Sequence, residues 1–178
     1  VYKTTDGGST WAQTSLGMGN ATVGAMIMDP TDPNTIIAAT SLGICKTTNG
    51  GASWSQKAVG NFKDLHYQPL TNDVVYAVKI KTPSEFYKSS DYGDTWTQIT
   101  SGIPTSGIGS RMVIGVSEDA PDYVYLLQIQ SSNGTLANIL RSVDAGESFT
   151  VMATGPNILG YNCDGSGTAS QATYDLCM

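Results

Sequence analysis

One short turn occurs four times in this chain: Thr4-x-Asp6-x-Gly8-x-Thr10-Trp11, Thr47-x-Asn49-x-Gly51-x-Ser53-Trp54, Ser89-x-Asp91-x-Gly93-x-Thr95-Trp96 and Ser142-x-Asp144-x-Gly146-x-Ser148-Phe149. Its acid or amide falls at positions 6, 49, 91 and 144, spacings of 43, 42 and 53 residues. Aspartate or asparagine at a turn accepts hydrogen bonds from amides a few residues on, closing a loop without help from another segment. Glycine two places later adopts positive φ without a Cβ clash. The hydroxyl two places before the acid adds a side-chain bond. The closing aromatic starts the next strand and is expected to bury its ring between neighbouring units, a contribution of about 2–3 kcal/mol.

The spacing matches one four-stranded blade of a β-propeller, typically about 40–50 residues. A second repeat precedes the first: Tyr2-Lys3, Cys45-Lys46, Tyr87-Lys88 and Leu140-Arg141 each set an apolar residue before a cation, as in a strand with one buried face. Apolar runs between turn residues predict first strands over 22–28, 65–67 and 112–116, and second strands over 35–40, 74–80 and 123–129. The expected fold is all-β, a partial propeller of four-stranded antiparallel blades with about three full blades and two partial ones. Residues 1–20 would end one blade with its third and fourth strands. Residues 21–60, 61–102 and 103–153 would each form a blade, and 154–178 a long loop and the start of another. An open stack exposes strand edges, so the remaining blades are expected to come from the same protein or another chain.

The four turns resemble the Asp-box, or BNR repeat, of sialidases, the sortilin or VPS10 group, some xyloglucan-cleaving glycosidases and many bacterial surface propellers. Asn49 departs from the pattern in the second copy and Phe149 in the fourth. The segment Gly160-Tyr161-Asn162-Cys163-Asp164-Gly165-Ser166-Gly167 with Tyr174-Asp175-Leu176 is similar to a loop of sortilin-like propellers secreted by Bacteroidetes, many with a sorting tail for type IX secretion. The resemblance implies a secreted or cell-surface protein. Tyr161, Asp164 and Tyr174 are candidate binding residues, and a loop plugging a blade junction is the alternative role for this segment.

A net charge of −6 lacks the basic face that nucleic-acid binding needs. No apolar run approaches the ~20 residues of a membrane helix. Most of the acids lie on predicted turns of one rim, where turn chemistry already favours aspartate. Of three cysteines, Cys45 occupies an apolar position of the repeat. Cys163 and Cys177 bracket a Gly- and Ser-rich loop whose closure by a disulfide would contribute about 3 kcal/mol; two unrelated thiols are the alternative.

The loops linking one blade to the next gather opposite the acid turns and carry few acids: Asp64, Glu85, Asp164 and Asp175. Glycoside hydrolysis needs two carboxyls about 5–10 Å apart, and nothing in the sequence pairs these. A sialidase centre clamps its substrate with three arginines, and only Arg111 and Arg141 are present. His66 is the sole histidine, with no partner visible in the sequence. No cofactor or metal pattern is found, and no catalytic residue is assigned. The sequence therefore points to a binding or scaffolding module for a protein or glycan, with a propeller glycoside hydrolase segment or an adhesin spacer as alternatives.

Overall fold

The computed structural model describes residues 1–173 and Leu176, and it is built of strands without helices. A two-stranded piece, β1 (Tyr2–Lys3) and β2 (Ala12–Gln13), precedes three four-stranded sheets. The first comprises β3 (Val23–Met28), β4 (Ile36–Thr40), β5 (Gly43–Thr47) and β6 (Ser55–Val59). The second has β7 (Phe62–Tyr67), β8 (Val75–Lys79), β9 (Glu85–Ser89) and β10 (Thr97–Ile99). The third has β11 (Ile108–Val116), β12 (Val124–Gln130), β13 (Leu136–Ser142) and β14 (Thr150–Ala153). Each is an antiparallel meander in chain order. Two first strands are longer than the apolar runs suggested, starting at Phe62 and Ile108, because the polar residues that interrupt those runs are absorbed as irregularities in the pairing.

Sheets stack face to face, with β3 beside β7 and β7 beside β11, so the first strands line a common inner side. Between the first and second full sheets lie Ile37, Ile44, Phe62, Leu65 and Val75; between the second and third lie Tyr76, Phe86, Ile114, Leu126 and Leu140. These are blades of a β-propeller, an architecture in which each sheet buries both faces against its neighbours.

The acid–glycine corners fix how the sheets meet. Gly93 sits against Ile37 of the sheet before it, where a Cβ would come within 2.6 Å of Cδ1, and Gly146 sits against Tyr76 in the same way. Each closing ring packs onto the preceding sheet: Trp96 onto the Ile37 cluster and Phe149 onto the Tyr76 cluster. Trp54 is buried with Met18 and Val1 and donates from Nε1 to the Thr14 carbonyl at 2.8 Å. The expectation of a buried ring fails at Trp11, which is 61% exposed, with no sheet among the described residues packed over it.

The long segment after β14 folds back over the outer face of the third sheet. Leu159, Ala172 and Leu176 cover Val113, Leu127, Ile129 and Leu136. Two cations that follow an apolar residue in the second repeat reach the corner of the next sheet, Lys46 to Asp94 at 2.9 Å and Lys88 to Glu147 at 2.6 Å. Lys3 does the same through the Gly50 carbonyl at 3.0 Å, since Ala52 holds the corresponding corner position. Arg141 instead lies over the Tyr123 ring.

Candidate functional site

The corner carboxylates are occupied by their own loops. Asp91 accepts from the Thr95 amide at 2.8 Å, the Thr95 hydroxyl at 2.6 Å and the Ser89 hydroxyl at 2.7 Å, while Ser89 Oγ accepts from Gly93 N at 2.9 Å. Asp6 repeats this with Thr10 and Thr4, the latter also capping Gly8, and Asp144 with Ser148 and Ser142, the latter capping Gly146. Asn49 keeps the geometry with one bond reversed: its Oδ1 accepts from Ser53 N and from Thr47 Oγ1, and its Nδ2 donates to Ser53 Oγ. Thr47 caps Gly51. The Thr10 hydroxyl and amide hold Asp6 down at a pKa of about 2. At Asp91 desolvation pushes upward, and the bonds from Thr95 and Ser89 outweigh it to leave the group at about 2. The Ser142 and Ser148 hydroxyls bring Asp144 to about 2 as well. Carboxylates so engaged are poor proton carriers at neutral pH and poor ligands for anything outside the loop.

Tyr161 is 70% exposed, and Asp164 is closed into a local turn by the Ser166 amide and hydroxyl at 2.9 and 2.7 Å. Tyr174 lies outside the described residues, and so does the pairing of Cys163 with Cys177; Cys163 itself is exposed. Cys45 is buried, and desolvation raises its thiol pKa. Glu85 is held near Lys79 and Lys81 and accepts from the Tyr87 hydroxyl.

A different set of residues comes together on the inner side. Pairing in each first strand slips at one place: between Val23 and Ala25, between Phe62 and Asp64, and between Ile108 and Met112. Gly24, Lys63 and Arg111 therefore sit in bulges at matching points of three successive sheets. A bulge re-aims the side chain it carries, and these three residues line one cleft of about 240 Å³. Gly24 lets β7 approach closely: a Cβ there would lie 2.9 Å from Lys63 Cδ and 3.0 Å from the Lys63 carbonyl oxygen.

Asp64 and His66, two apart on β7, share a face of the strand and both line the cleft. His66 Nε2 is 3.3 Å from Asp64 Oδ1. Asp64 Oδ1 also accepts from Leu65 N and Oδ2 from Ile114 N, each at 3.1 Å, so this carboxylate ties β7 to β11. Arg111 Nη2 donates to the Leu176 carbonyl at 3.4 Å, and its buried Nε has no partner among the described residues. The histidine thus gains a partner that the sequence treatment missed, although Asp-x-His on a strand is the signal that would have found it. The bulges themselves have no local sequence mark.

A shallower apolar groove of about 490 Å³ lies at the rim end of β3 and β7, bounded by Met28, Tyr67, Leu70 and Asn72.

No protein-family model and no curated protein sequence matches the chain. Among solved structures it is similar to an ancestral GH74 enzyme, with a TM-score of 0.73 and 19% identity, over 89% of this chain and 22% of the enzyme. It is also similar to the GH74 enzyme of Niastella koreensis (TM-score 0.53, 22% identity, 76% of this chain and 23% of that one). The GH74 xyloglucanase of Xanthomonas campestris gives a TM-score of 0.54 at 16% identity, over 78% of this chain and 24% of that one. The chain spans less than a quarter of each enzyme's length. At these identities the likeness concerns the fold, a β-propeller of repeated four-stranded blades.

Proposed function

We propose that the chain belongs to a propeller binding module that holds a protein or glycan ligand at the cleft on its first strands. The observation that carries this is the convergence of three matching irregularities on one cleft: Gly24, Lys63 and Arg111, taken out of the pairing register on successive sheets, all line the same space. Ligand sites of propellers draw on several blades at once, and a rigid sheet scaffold holds such a site in place. On this reading the four corners mark an Asp-box propeller of the sortilin-like kind, and the resemblance of the 160–167 loop is the ground for reading it as a secreted or cell-surface protein and a cargo of type IX secretion. Further blades, from the same polypeptide or another, cover the exposed Trp11, Tyr2 and Leu16. Glycan and peptide arrays on the full-length protein test the module. Ala25→Trp narrows the cleft from β3 without altering its charged side chains. It is expected to abolish capture of the selected ligand, and because Ala25 also packs against the Ile37 cluster, capture is measured below the variant's own melting temperature. Capture that survives this substitution places the ligand elsewhere.

Glycoside hydrolysis is the second reading, favoured by the GH74 neighbours. It requires two facing carboxyls, and among the described residues Asp64 is the one carboxylate lining the cleft. Release of labelled product from a xyloglucan oligosaccharide by the full-length protein, lost in Asp64→Asn, would establish hydrolysis in place of simple binding.

A further inference from the structure

The two joints between full sheets follow one rule. In each, the glycine of the later corner sits on a second-strand residue of the earlier sheet, Gly93 on Ile37 and Gly146 on Tyr76. The acid next in sequence meets the third-strand cation, Asp94 with Lys46 at 2.9 Å and Glu147 with Lys88 at 2.6 Å. Ile37 and Lys46 are cross-strand partners, and so are Tyr76 and Lys88. Two facing residues of one sheet thus receive two consecutive residues of the next, glycine and then acid. In the second joint Tyr76 Oη also donates to the Ala145 carbonyl, just before that glycine, at 3.1 Å.

The third sheet carries the same pair. Tyr125 faces Arg141 beside the Val124–Ser142 pair, as Tyr76 faces Lys88 beside the Val75–Ser89 pair. Leu126 packs toward the second sheet, so strand alternation turns Tyr125 to the opposite side. Later residues cover Leu127, Ile129 and Leu136 there, whereas Tyr125 and Arg141, nearer the corner, are half-buried. Arg141 forms no ion pair among the described residues. Its guanidinium lies over the Tyr123 ring, a contact of the flat face that leaves the N–H edge for a carboxylate. We infer that this end of the third sheet docks a further blade of the same polypeptide, through a corner whose glycine is followed by aspartate or glutamate. The glycine rests on Tyr125 and the acid meets Arg141. The chain itself returns to this face: Leu176 clusters with the Val113–Leu127 pair as Leu65, on the first strand of the next sheet, clusters with the matching Ala25–Ala39 pair. The cation selects the acid. Lys3, facing a corner with Ala52 in the acid's place, takes a single carbonyl, which suits an ammonium; the arginine fork matches the two oxygens of a carboxylate. A second copy of the chain offers no such acid, because its open corner at Gly8 continues with Ser9.

Photocrosslinking from position 125 of the full-length protein tests it. With p-benzoylphenylalanine in place of Tyr125, the expected product is a crosslink within one polypeptide to a corner other than the four described. Tandem mass spectrometry should read in it an acid, a glycine two places on, and then aspartate or glutamate. The unmodified protein gives a second measure by hydroxyl-radical oxidation: Tyr125 is expected to react as slowly as the buried Tyr76, and the exposed Tyr161 many times faster. Arg141→Glu is expected to lower the melting temperature. Changing the acid of the crosslinked corner to arginine in the same protein should recover about half of that loss, which loss of the Tyr123 contact alone cannot produce. A crosslink between two polypeptides, a crosslinked segment without the acid, no crosslink in the folded variant, Tyr125 oxidised as readily as Tyr161, or no recovery on charge reversal would each overturn the inference. Tyr125 and Arg141 do not line the cleft, so any of these results leaves ligand capture there to be judged by its own experiment.

Discussion

Each corner combines two residues at positive φ: Gly7 and Gly8, Gly50 and Gly51, Tyr92 and Gly93, Ala145 and Gly146. Sequence reasoning reaches the glycine after the acid, because only glycine recurs there. It does not reach Tyr92 (φ 60°) and Ala145 (φ 55°), whose conformation is imposed by the hydrogen bonds they carry. Tyr92 N donates to the Asp73 carbonyl and Ala145 N to that of Asp122, while Ala145 O accepts from Tyr76 Oη of the sheet before. A non-glycine residue in the left-handed region costs about 1–2 kcal/mol, partly offset by the stiffer unfolded chain. Ala145→Gly is therefore expected to raise stability by about 0.5–1 kcal/mol in urea denaturation. Asp91→Ala is expected to lower it by about 1 kcal/mol through the lost bonds to Thr95 and Ser89, with ligand capture at the cleft unchanged. Acid should act through the same groups. Asp6, Asp91 and Asp144 titrate at about 2 in the folded chain, below the ordinary 3.8. Their stabilisation is complete above about pH 4 and is lost as the pH falls from there towards 2. The melting temperature followed from pH 6 to pH 2 should fall in that window, and less steeply in Asp91→Asn, which carries no charge to lose.

Between elements, the latch from the third strand to the next corner is a clear regularity of the structure, yet its energy is small. Lys88 is nearly buried, but the Glu147 side chain is 61% exposed, so solvent screens the pair. A double-mutant cycle with Lys88→Met and Glu147→Gln is expected to give a coupling below about 1 kcal/mol. A coupling of several kcal/mol would mean that the latch rather than apolar packing holds the blades. The apolar–cation repeat was readable in the sequence, whereas its partners were not, because Lys46 and Asp94 are brought together only when sheets stack. The cleft illustrates the same divide. Asp64 and His66 are neighbours by strand alternation, but their meeting with Arg111 depends on β7 lying beside β11.

At the scale of the whole molecule, the face of the third sheet that points away from its neighbour is covered by residues after β14. Leu159, Ala172 and Leu176 supply the apolar surface that a neighbouring sheet gives elsewhere. Ala172→Asp puts a carboxylate against Leu127 and Ile129 and is expected to cost about 2 kcal/mol or more, read as a lower denaturation midpoint with binding at the cleft retained below it. The four-fold turn and the alternation of apolar residues were enough to determine the all-β class, the blade repeat and the structural use of the corner acids, because each rests on bonds and periodicities within a few residues. Which rings are buried, which carboxylates the cations meet and where the bulges converge were decided by the stacking of sheets, since each depends on groups about one blade apart in sequence.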